Sequence, residues 1–309
     1  FSDLYQAYLT QHRYLLRAAF IQQYHVNKLR ARHFAQPMGS ALHDLSLKHG
    51  VDLHQEYVPE SVNLGYVEFI GYGTVTDSLA ALKKWVFEEK RLSMAEVMTA
   101  LDHNFEGYEA IQALLRSAPA YGNNDPFADE IAKDLDRVSV EFCQTYGPSL
   151  GINNDIRYVP FTSHVPFGRV VSATPNGRTA WFPLSDGSSP SQGADRAGPT
   201  AILLSNLMTK NIDLSARAAR MLNVKFSPKC LAGDKGTENL IDFIRVFCAL
   251  KLWHIQFNVI NQETLLKAQK EPDKHRDLIV RIAGYSAYFT DLSTDLQNDL
   301  IARSCHGSL

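Results

Sequence analysis

Between Leu4 and about Phe34 the apolar positions Leu4, Tyr8, Leu15, Ala18, Phe20, Ile21 and Tyr24 recur at roughly helical spacing, after a candidate N-cap at Ser2 and before Pro37. The spacing predicts one long amphipathic helix, with the basic stretch Lys28 to Arg32 on its solvated face. A second helix is predicted from Asp77 to about Glu89, with Leu79, Leu82, Trp85 and Val86 on one side. A third opens with Ser93-Met94-Ala95-Glu96, the pattern of a capping box. A fourth, from about Phe127 to Tyr146, carries Ile131, Leu135, Val138 and Phe142 behind Asp125-Pro126, where proline's missing N–H costs nothing. The first third of the chain is therefore expected to be mostly helical.

From Gly147 to Pro199 this regularity gives way to Gly, Pro, Ser, Asn and Asp. One short β-like run, Arg157-Tyr158-Val159, sits among turn signals at Pro175-Asn176-Gly177 and Ser185-Asp186-Gly187. A loop region this long is expected to be functional or extended surface. Beyond it the order is helix (Thr200 to Met208), strand (Leu222 to Phe226), helix (Thr237 to Leu250), strand (Trp253 to Ile260), helix (Gln262 to Gln269) and strand (Leu278 to Ile282). Such alternation predicts βαβ units, a parallel sheet and an α/β fold. The run from Trp253 to Val259 alternates strictly, so His254, Gln256 and Asn258 share one side, expected to face a wetter or ligand-lined space. No internal repeat, low-complexity tract or linker interrupts the text.

Composition changes the picture only by exclusion. Lys and Arg number 31 against 33 Asp and Glu, a net charge of −2, which gives no electrostatic reason to expect nucleic acid or an anionic membrane as partner. Apolar residues at 45% and charged residues at 21% exclude disorder and fibre. No apolar run approaches the roughly 18 to 20 residues of a membrane span, and the opening FSDLYQAYLT lacks a signal-peptide pattern, so a cytoplasmic protein is expected. Cys143, Cys230, Cys248 and Cys305 are too few and too scattered for a disulfide framework. His43, His49 and His54 suit neither one helical face nor a standard zinc spacing, so no metal site is expected there. The chain opens with Phe1 inside helical text and reads as the C-terminal portion of a longer polypeptide.

The most informative text runs from Leu278 to Phe289, Leu-Ile-Val-Arg-Ile-Ala-Gly-Tyr-Ser-Ala-Tyr-Phe, followed by Leu292, Leu296-Gln297, Leu300-Ile301 and Arg303. Upstream stand Gln256-Phe257-Asn258-Val259, Thr264-Leu265-Leu266 and Ser185-Asp186-Gly187-Ser188-Ser189-Pro190 with Gln192-Gly193. Together they resemble glycyl radical enzymes over essentially the whole chain, and the core motif is far more specific than a lone glycine. A backbone radical at Cα is stabilised by delocalisation into both flanking amides. That requires near-planarity, which a Cβ would obstruct, and glycine's conformational freedom lets it sit at a loop tip. On its own, Gly284 would be read as the residue that ends a strand.

The resemblance implies the C-terminal half of a ten-stranded α/β barrel, residues 1–260, followed by a glycyl radical segment, residues 261–309. It implies a radical on Gly284, installed by a radical S-adenosylmethionine iron-sulfur activating enzyme, with Arg281, Tyr285 and Ser286 supporting the loop. It implies no bound metal or organic cofactor. The family's radical-relay cysteine stands in a Gly-Cys-x-Glu text, which the 309 residues lack. The thiyl-cysteine half is therefore expected upstream or on a separate chain, and this chain alone is expected to be inactive. Family members are often homodimers, and a half barrel would leave strand edges for the other half to cover.

Asn153-Asn154-Asp155-Ile156-Arg157-Tyr158-Val159-Pro160-Phe161 points to a branch. On an extended segment Arg157, Val159 and Phe161 would face one side, with Arg157 offering a charged fork for an oxyanion and Phe161 packing on a short carbon chain. From the residues alone, a structural ion pair of Arg157 with Asp155 or Asp186 is the favoured reading. The text resembles the branch that releases sulfite from isethionate (2-hydroxyethanesulfonate), which implies that Arg157, Val159 and Phe161 line a sulfonate pocket. In that chemistry the relay thiyl takes hydrogen from the hydroxyl-bearing carbon, and loss of sulfite leaves acetaldehyde. A dihydroxypropanesulfonate sulfite-lyase, a choline trimethylamine-lyase, a diol dehydratase and a noncatalytic spare radical-bearing subunit stand as alternatives. An arginine in the pocket argues against the quaternary ammonium of choline. Arg178, in Pro175-Asn176-Gly177-Arg178, is expected to be structural, and His254 either approaches the glycine loop or is a structural histidine.

Overall fold

The long first helix, Ser2–His33, buries Leu9, Leu16 and Phe20 and leaves Lys28, Leu29, Arg30 and Arg32 exposed. Its inner stripe is offset from the predicted one, because Leu15 and Ile21 are 64% and 37% exposed. The computed structural model describes residues 1–54, 64–150, 153–159, 161–209, 219–282 and 284–307, with the backbone alone at 64–66 and 153–155. The first helix lies along helix Pro126–Tyr146 through paired polar and aromatic contacts. Tyr5 Oη donates to Asp134 Oδ2 at 2.7 Å, His12 Nε2 meets Ser139 Oγ at 2.8 Å, and Phe20 packs its ring against Phe142 and Tyr146. Asp125 accepts from Phe127 N–H at the start of that partner helix, with Pro126 in its first turn. Ser93 and Glu96 form the full capping box expected of helix Met94–Asp102. The second predicted helix begins earlier, at Tyr72–Leu82, almost wholly buried, and continues as a π-helical turn at Lys83–Glu88.

Strands β1 (Leu64–Glu68), β2 (Asn153–Tyr158) and β3 (Ala219–Arg220) form one parallel sheet in that order. Strands β4 (Leu222–Phe226), β5 (Ile255–Val259) and β8 (Cys305–His306) form a second, with β4 central and parallel to both neighbours. Strands β6 (Ile279–Arg281) and β7 (Ser286–Tyr288) form an antiparallel hairpin. Between β3 and β4 the chain passes from one sheet to the other at Met221, whose N–H donates to Tyr158 O while Leu222 N–H donates to His254 O. The α/β class and parallel pairing thus match the alternation in the sequence. Strand β1 does not, since LGYVE has no strict alternation and is a strand by virtue of its ladder with β2.

Despite its polar composition, the stretch from Pro183 to Ser191 is buried throughout, not extended surface. Side chains and backbone satisfy one another there. Ser185 N–H donates to Thr74 Oγ1 and Thr74 N–H to Ser185 Oγ, while Ser188 donates twice to Met221 O. This segment stitches helix Tyr72–Leu82 to the point where the chain changes sheets. Arg178 is structural, as its turn suggested: its guanidinium donates to the carbonyls of Val171, Ser172, Thr179 and Phe182 and to Thr174 Oγ1.

Behind the first sheet, Arg220 and Asp136 form an ion pair of 2.8 Å at 2% and 0% exposure. Tyr158 Oη donates to the same carboxylate at 2.7 Å, and the guanidinium lies 4.3 Å over the Tyr158 ring. Removing one partner of such a pair strands a buried charge. Asp136→Ala is expected to lower unfolding free energy by about 3–5 kcal/mol, read as a lower denaturant midpoint at unchanged slope.

Candidate functional site

The hairpin of β6 and β7 is closed by Ile282 N–H donating to Tyr285 O at 2.9 Å, which places Gly284 at the tip. Gly284 has φ +87°, a conformation open to glycine and strained for residues with a Cβ. The inner face of the hairpin, Val280, Ile282 and Phe289, packs on Met221, Leu265, Ala268, Leu296 and Leu300. Gln297 of helix Thr294–Ala302 donates to Phe289 O at 3.0 Å, so the distal Gln of the motif fastens the end of the hairpin.

Among the described residues no ladder joins the hairpin to β5, and side chains take its place. Asn258 Oδ1 accepts from Arg281 N–H at 2.8 Å and Asn258 Nδ2 donates to Arg281 O at 2.6 Å, as a neighbouring strand would. Gln256 Oε1 accepts from Gly284 N–H at 2.9 Å and from Arg281 Nε at 3.0 Å. Arg281 Nη2 donates to Gly284 O at 3.0 Å and Nη1 to Ser286 Oγ at 3.4 Å. The polar side of β5 therefore faces the hairpin, and Gln256 and Asn258 are buried where a wet or ligand-lined space was expected. Gln256 was not singled out as a site residue. Its signal was present in the alternation Gln256-Phe257-Asn258, but the surface it meets is remote in sequence. His254 is exposed and holds Leu222 N–H through its carbonyl, and Tyr285 closes the hairpin through its carbonyl while its ring is 43% exposed.

The second motif strip is joined to the first by charge. Arg303 Nη2 lies 2.8 Å from Asp299 Oδ2 and 3.2 Å from Asp186 Oδ2, and His164 Nε2 meets Asp299 at 3.1 Å. Asn223 Nδ2 donates to Asp186, and Gln192 Nε2 donates to Asp299 Oδ1 at 2.8 Å. Burial alone would raise the Asp299 carboxyl, but Arg303 and then His164 outweigh it and hold Asp299 well below the usual carboxylate range. Burial would likewise lower His164, and Asp299 reverses the sign and raises it. Asp186, one of the two carboxylates weighed as a partner for Arg157, is thus engaged by Arg303, and the side chain of Asp155 lies outside the described residues.

Arg157 sits near the end of β2, opposite Glu68 of β1 in the parallel register. Burial pushes the Glu68 carboxyl above its ordinary value, against the pull of Val159 N–H and the Arg157 guanidinium. Val159 packs against the core beneath the hairpin. Strand geometry does not extend to Phe161: β2 ends at Tyr158, Pro160 lies outside the described residues, and Phe161 has φ +52° and is 53% exposed. The predicted one-sided row of Arg157, Val159 and Phe161 is accordingly broken by a turn. A separate cavity of about 340 Å³, lined by Asp77, Arg116, Arg178 and Ser191 among others, shares no residue with the hairpin. Burial pushes Asp77 there up to about 7, but its oxygens already accept from Tyr121 N–H and Ser191 Oγ, a structural tie. His43 caps helix Asp44–His49 through its ring, and His54 Nδ1 meets Phe34 O.

A family model described as pyruvate formate lyase-like matches residues 1–168, and one described as glycine radical matches residues 184–290. The chain is 68% identical over 305 residues to an isethionate sulfite-lyase of Desulfovibrio desulfuricans, covering 98% of this chain and 37% of that protein. It is 67% identical over 307 residues to an isethionate sulfite-lyase of Bilophila wadsworthia, covering 99% of this chain and 37% of that protein. The crystal structure of hydroxyproline dehydratase from Clostridioides difficile, with trans-4-hydroxy-L-proline bound, superposes with a TM-score of 0.91 at 35% identity, over 99% of this chain and 38% of that one. The chain thus spans a little over a third of the length of the relatives it matches.

Because the pKa of His164 is raised on folding, its contribution to stability is complete below the unfolded value of about 6.5 and is lost as pH climbs through the raised value. The stability difference between wild type and His164→Gln, from urea unfolding at a series of pH values, is expected to be largest below that point and to shrink above it.

Proposed function

Since the chain belongs to the pyruvate formate lyase-like family of glycyl radical enzymes, we propose that it is the radical-bearing part of a carbon–sulfur lyase that converts isethionate to acetaldehyde and sulfite. The observation that carries this reading is the identity to isethionate sulfite-lyases, far above that to the dehydratase of the same fold. The hairpin geometry supports Gly284 as the radical residue, with Arg281 and Ser286 bracing it and Tyr285 closing the turn. In this reading residues 261–309 are the radical segment, docked on the barrel part formed by residues 1–260.

A radical S-adenosylmethionine iron-sulfur activating enzyme takes a hydrogen atom from Gly284. The radical passes to a relay cysteine on the thiyl-bearing portion, which the 309 residues do not contain in a Gly-Cys-x-Glu text. The thiyl abstracts hydrogen from the hydroxyl-bearing carbon of isethionate, and a carboxylate beside it takes the hydroxyl proton. The C–S bond then breaks with its electron pair leaving on sulfite, and the remaining CH2–CHO radical recovers hydrogen from the thiol as acetaldehyde. Arg157 holds the sulfonate and stabilises the charge growing on sulfite, with Val159 and Phe161 against the two-carbon chain. The working assembly in this reading is a homodimer in an anaerobic cytoplasm or a bacterial microcompartment.

The test is anaerobic: the full-length protein with its activating enzyme and S-adenosylmethionine, then isethionate, with sulfite assayed beside the electron paramagnetic resonance spectrum. A glycyl doublet with sulfite is expected. A doublet without sulfite would overturn the substrate, and no doublet would overturn the radical role. Gly284→Ala is expected to fold, because among the described residues the added Cβ meets only Met221 Cε at 3.6 Å, with a left-handed-backbone cost of about 1–2 kcal/mol, yet to give no doublet. Arg157→Lys, lacking the planar fork, is expected to raise the isethionate KM by about tenfold or more, and unchanged kinetics would remove Arg157 from the pocket.

A further inference from the structure

We propose that Glu68 is a second reader of the substrate anion: it takes up a proton as the sulfonate settles on Arg157 and then donates that O–H to a sulfonate oxygen. The proposal rests on the reading of Arg157 as the sulfonate holder. Strand alternation places the two side chains together. Val67 and Phe69 pack with Ile156 and Tyr158 into the core shared with the first helix, so the intervening Glu68 and Arg157 point to the opposite face. They are direct register partners in the parallel pair, and the pairing continues one residue further, where Phe69 N–H donates to Arg157 O at 2.7 Å. The half-buried Glu68 carboxylate reaches along the sheet to accept from Val159 N–H through Oε2 at 3.3 Å. It therefore lies beside two of the residues proposed to line the pocket.

The forces on this carboxyl are opposed, and an anion on Arg157 shifts their balance. Burial favours the neutral acid and prevails over Val159 N–H and the Arg157 guanidinium, both of which favour the carboxylate. A bound sulfonate neutralises that guanidinium and adds a negative charge of its own beside Glu68. Both changes favour the acid, so binding and protonation are coupled. The neutral acid keeps Oε2 as the acceptor for Val159 N–H and makes Oε1 a donor, which suits a sulfonate whose oxygens only accept. Tyr8 and His12 of the first helix share a cavity with Glu68; burial raises the tyrosine and lowers His12 to about 4, so both are uncharged near neutral pH. Arg220 of β3 is the register partner of Tyr158 and is paired with Asp136 on the far face, and the side chains of Tyr66 and Asp155 lie outside the described residues.

The experiment titrates isethionate into the unactivated full-length protein by calorimetry, in buffers of differing ionisation heat, from about pH 5 to about pH 9. The dependence of the heat on the buffer gives the protons taken up per bound isethionate. Wild type is expected to take up part of one proton per site, through a maximum between the free and bound pKa of Glu68, with a Kd that rises there by up to about tenfold per pH unit. Glu68→Gln, isosteric and unable to titrate, is expected to lose the maximum and hold a level Kd. Wild type without proton uptake anywhere in the range overturns the proposal whether or not the variant folds. The same maximum in both proteins puts the proton on another group and overturns it equally. A wild type that binds no isethionate overturns the substrate reading itself and the proposal with it, whereas an unchanged Kd in Arg157→Lys overturns the placement of the sulfonate on Arg157.

Discussion

A two-stranded hairpin that, among the described residues, joins no larger sheet has to be held by something other than a backbone ladder, and the C-terminal half of this chain is arranged around meeting that need. Its apolar underside, Val280, Ile282 and Phe289, rests on the helices Gln262–Lys270 and Thr294–Ala302. Its polar edge is fastened to β5 by two carboxamides, each bonding where a strand's own peptide groups would bond. Side-chain amides reach farther than a ladder and act one residue at a time. They leave the glycine tip outside regular pairing while its N–H and its carbonyl each keep a hydrogen-bond partner.

The same economy explains the distant motif strips. Ser185 to Pro190 reads as a surface turn by composition, yet it is interior. Its hydroxyls complete the backbone bonding of Thr74, Met221 and Asn223, and Asp186 receives Arg303 from beyond helix Thr294–Ala302. Asp299 shares that guanidinium and adds His164. Four carriers of charge from three parts of the chain, His164, Asp186 and the Asp299–Arg303 pair, thereby hold one another in the interior, where a buried ion is tolerated only with its partners in place. Lys225 of β4 completes the link by donating to Leu300 O and Ile301 O near the end of the same helix.

In the first sheet the proposed chemistry rests on a different arrangement. Arg157 stands on the central strand across from Glu68, whose carboxyl is pushed up by burial, so a fixed cation faces a half-buried acid at the ends of parallel strands. That is the end at which open parallel sheets present their ligand-binding groups. Val159 continues from there into the core under the hairpin, physically linking the two places where the chemistry is proposed to occur.

Much of this was legible in the residue pattern. The capping box at Ser93, the cap at Asp125, the strand from Leu222 to Phe226 and the parallel α/β order follow from local chemistry and hydrophobic period, which act over a few residues. The importance of Gly284 came from a text specific enough to be recognised, and its positive φ agrees with the need for glycine. Other features were decided only by tertiary structure. Strand β1 exists because β2 pairs with it, the first helix turned a different stripe inward to meet helix Pro126–Tyr146, and Phe161 left the row of Arg157 when the strand stopped at Tyr158. Gln256 became a partner of Gly284 across 28 residues of sequence. The physical reason is the range of the forces. Propensity and period are written into neighbouring residues, whereas the partner of a buried amide or charge is whatever group folding brings within about 3 Å, and sequence proximity does not determine that group.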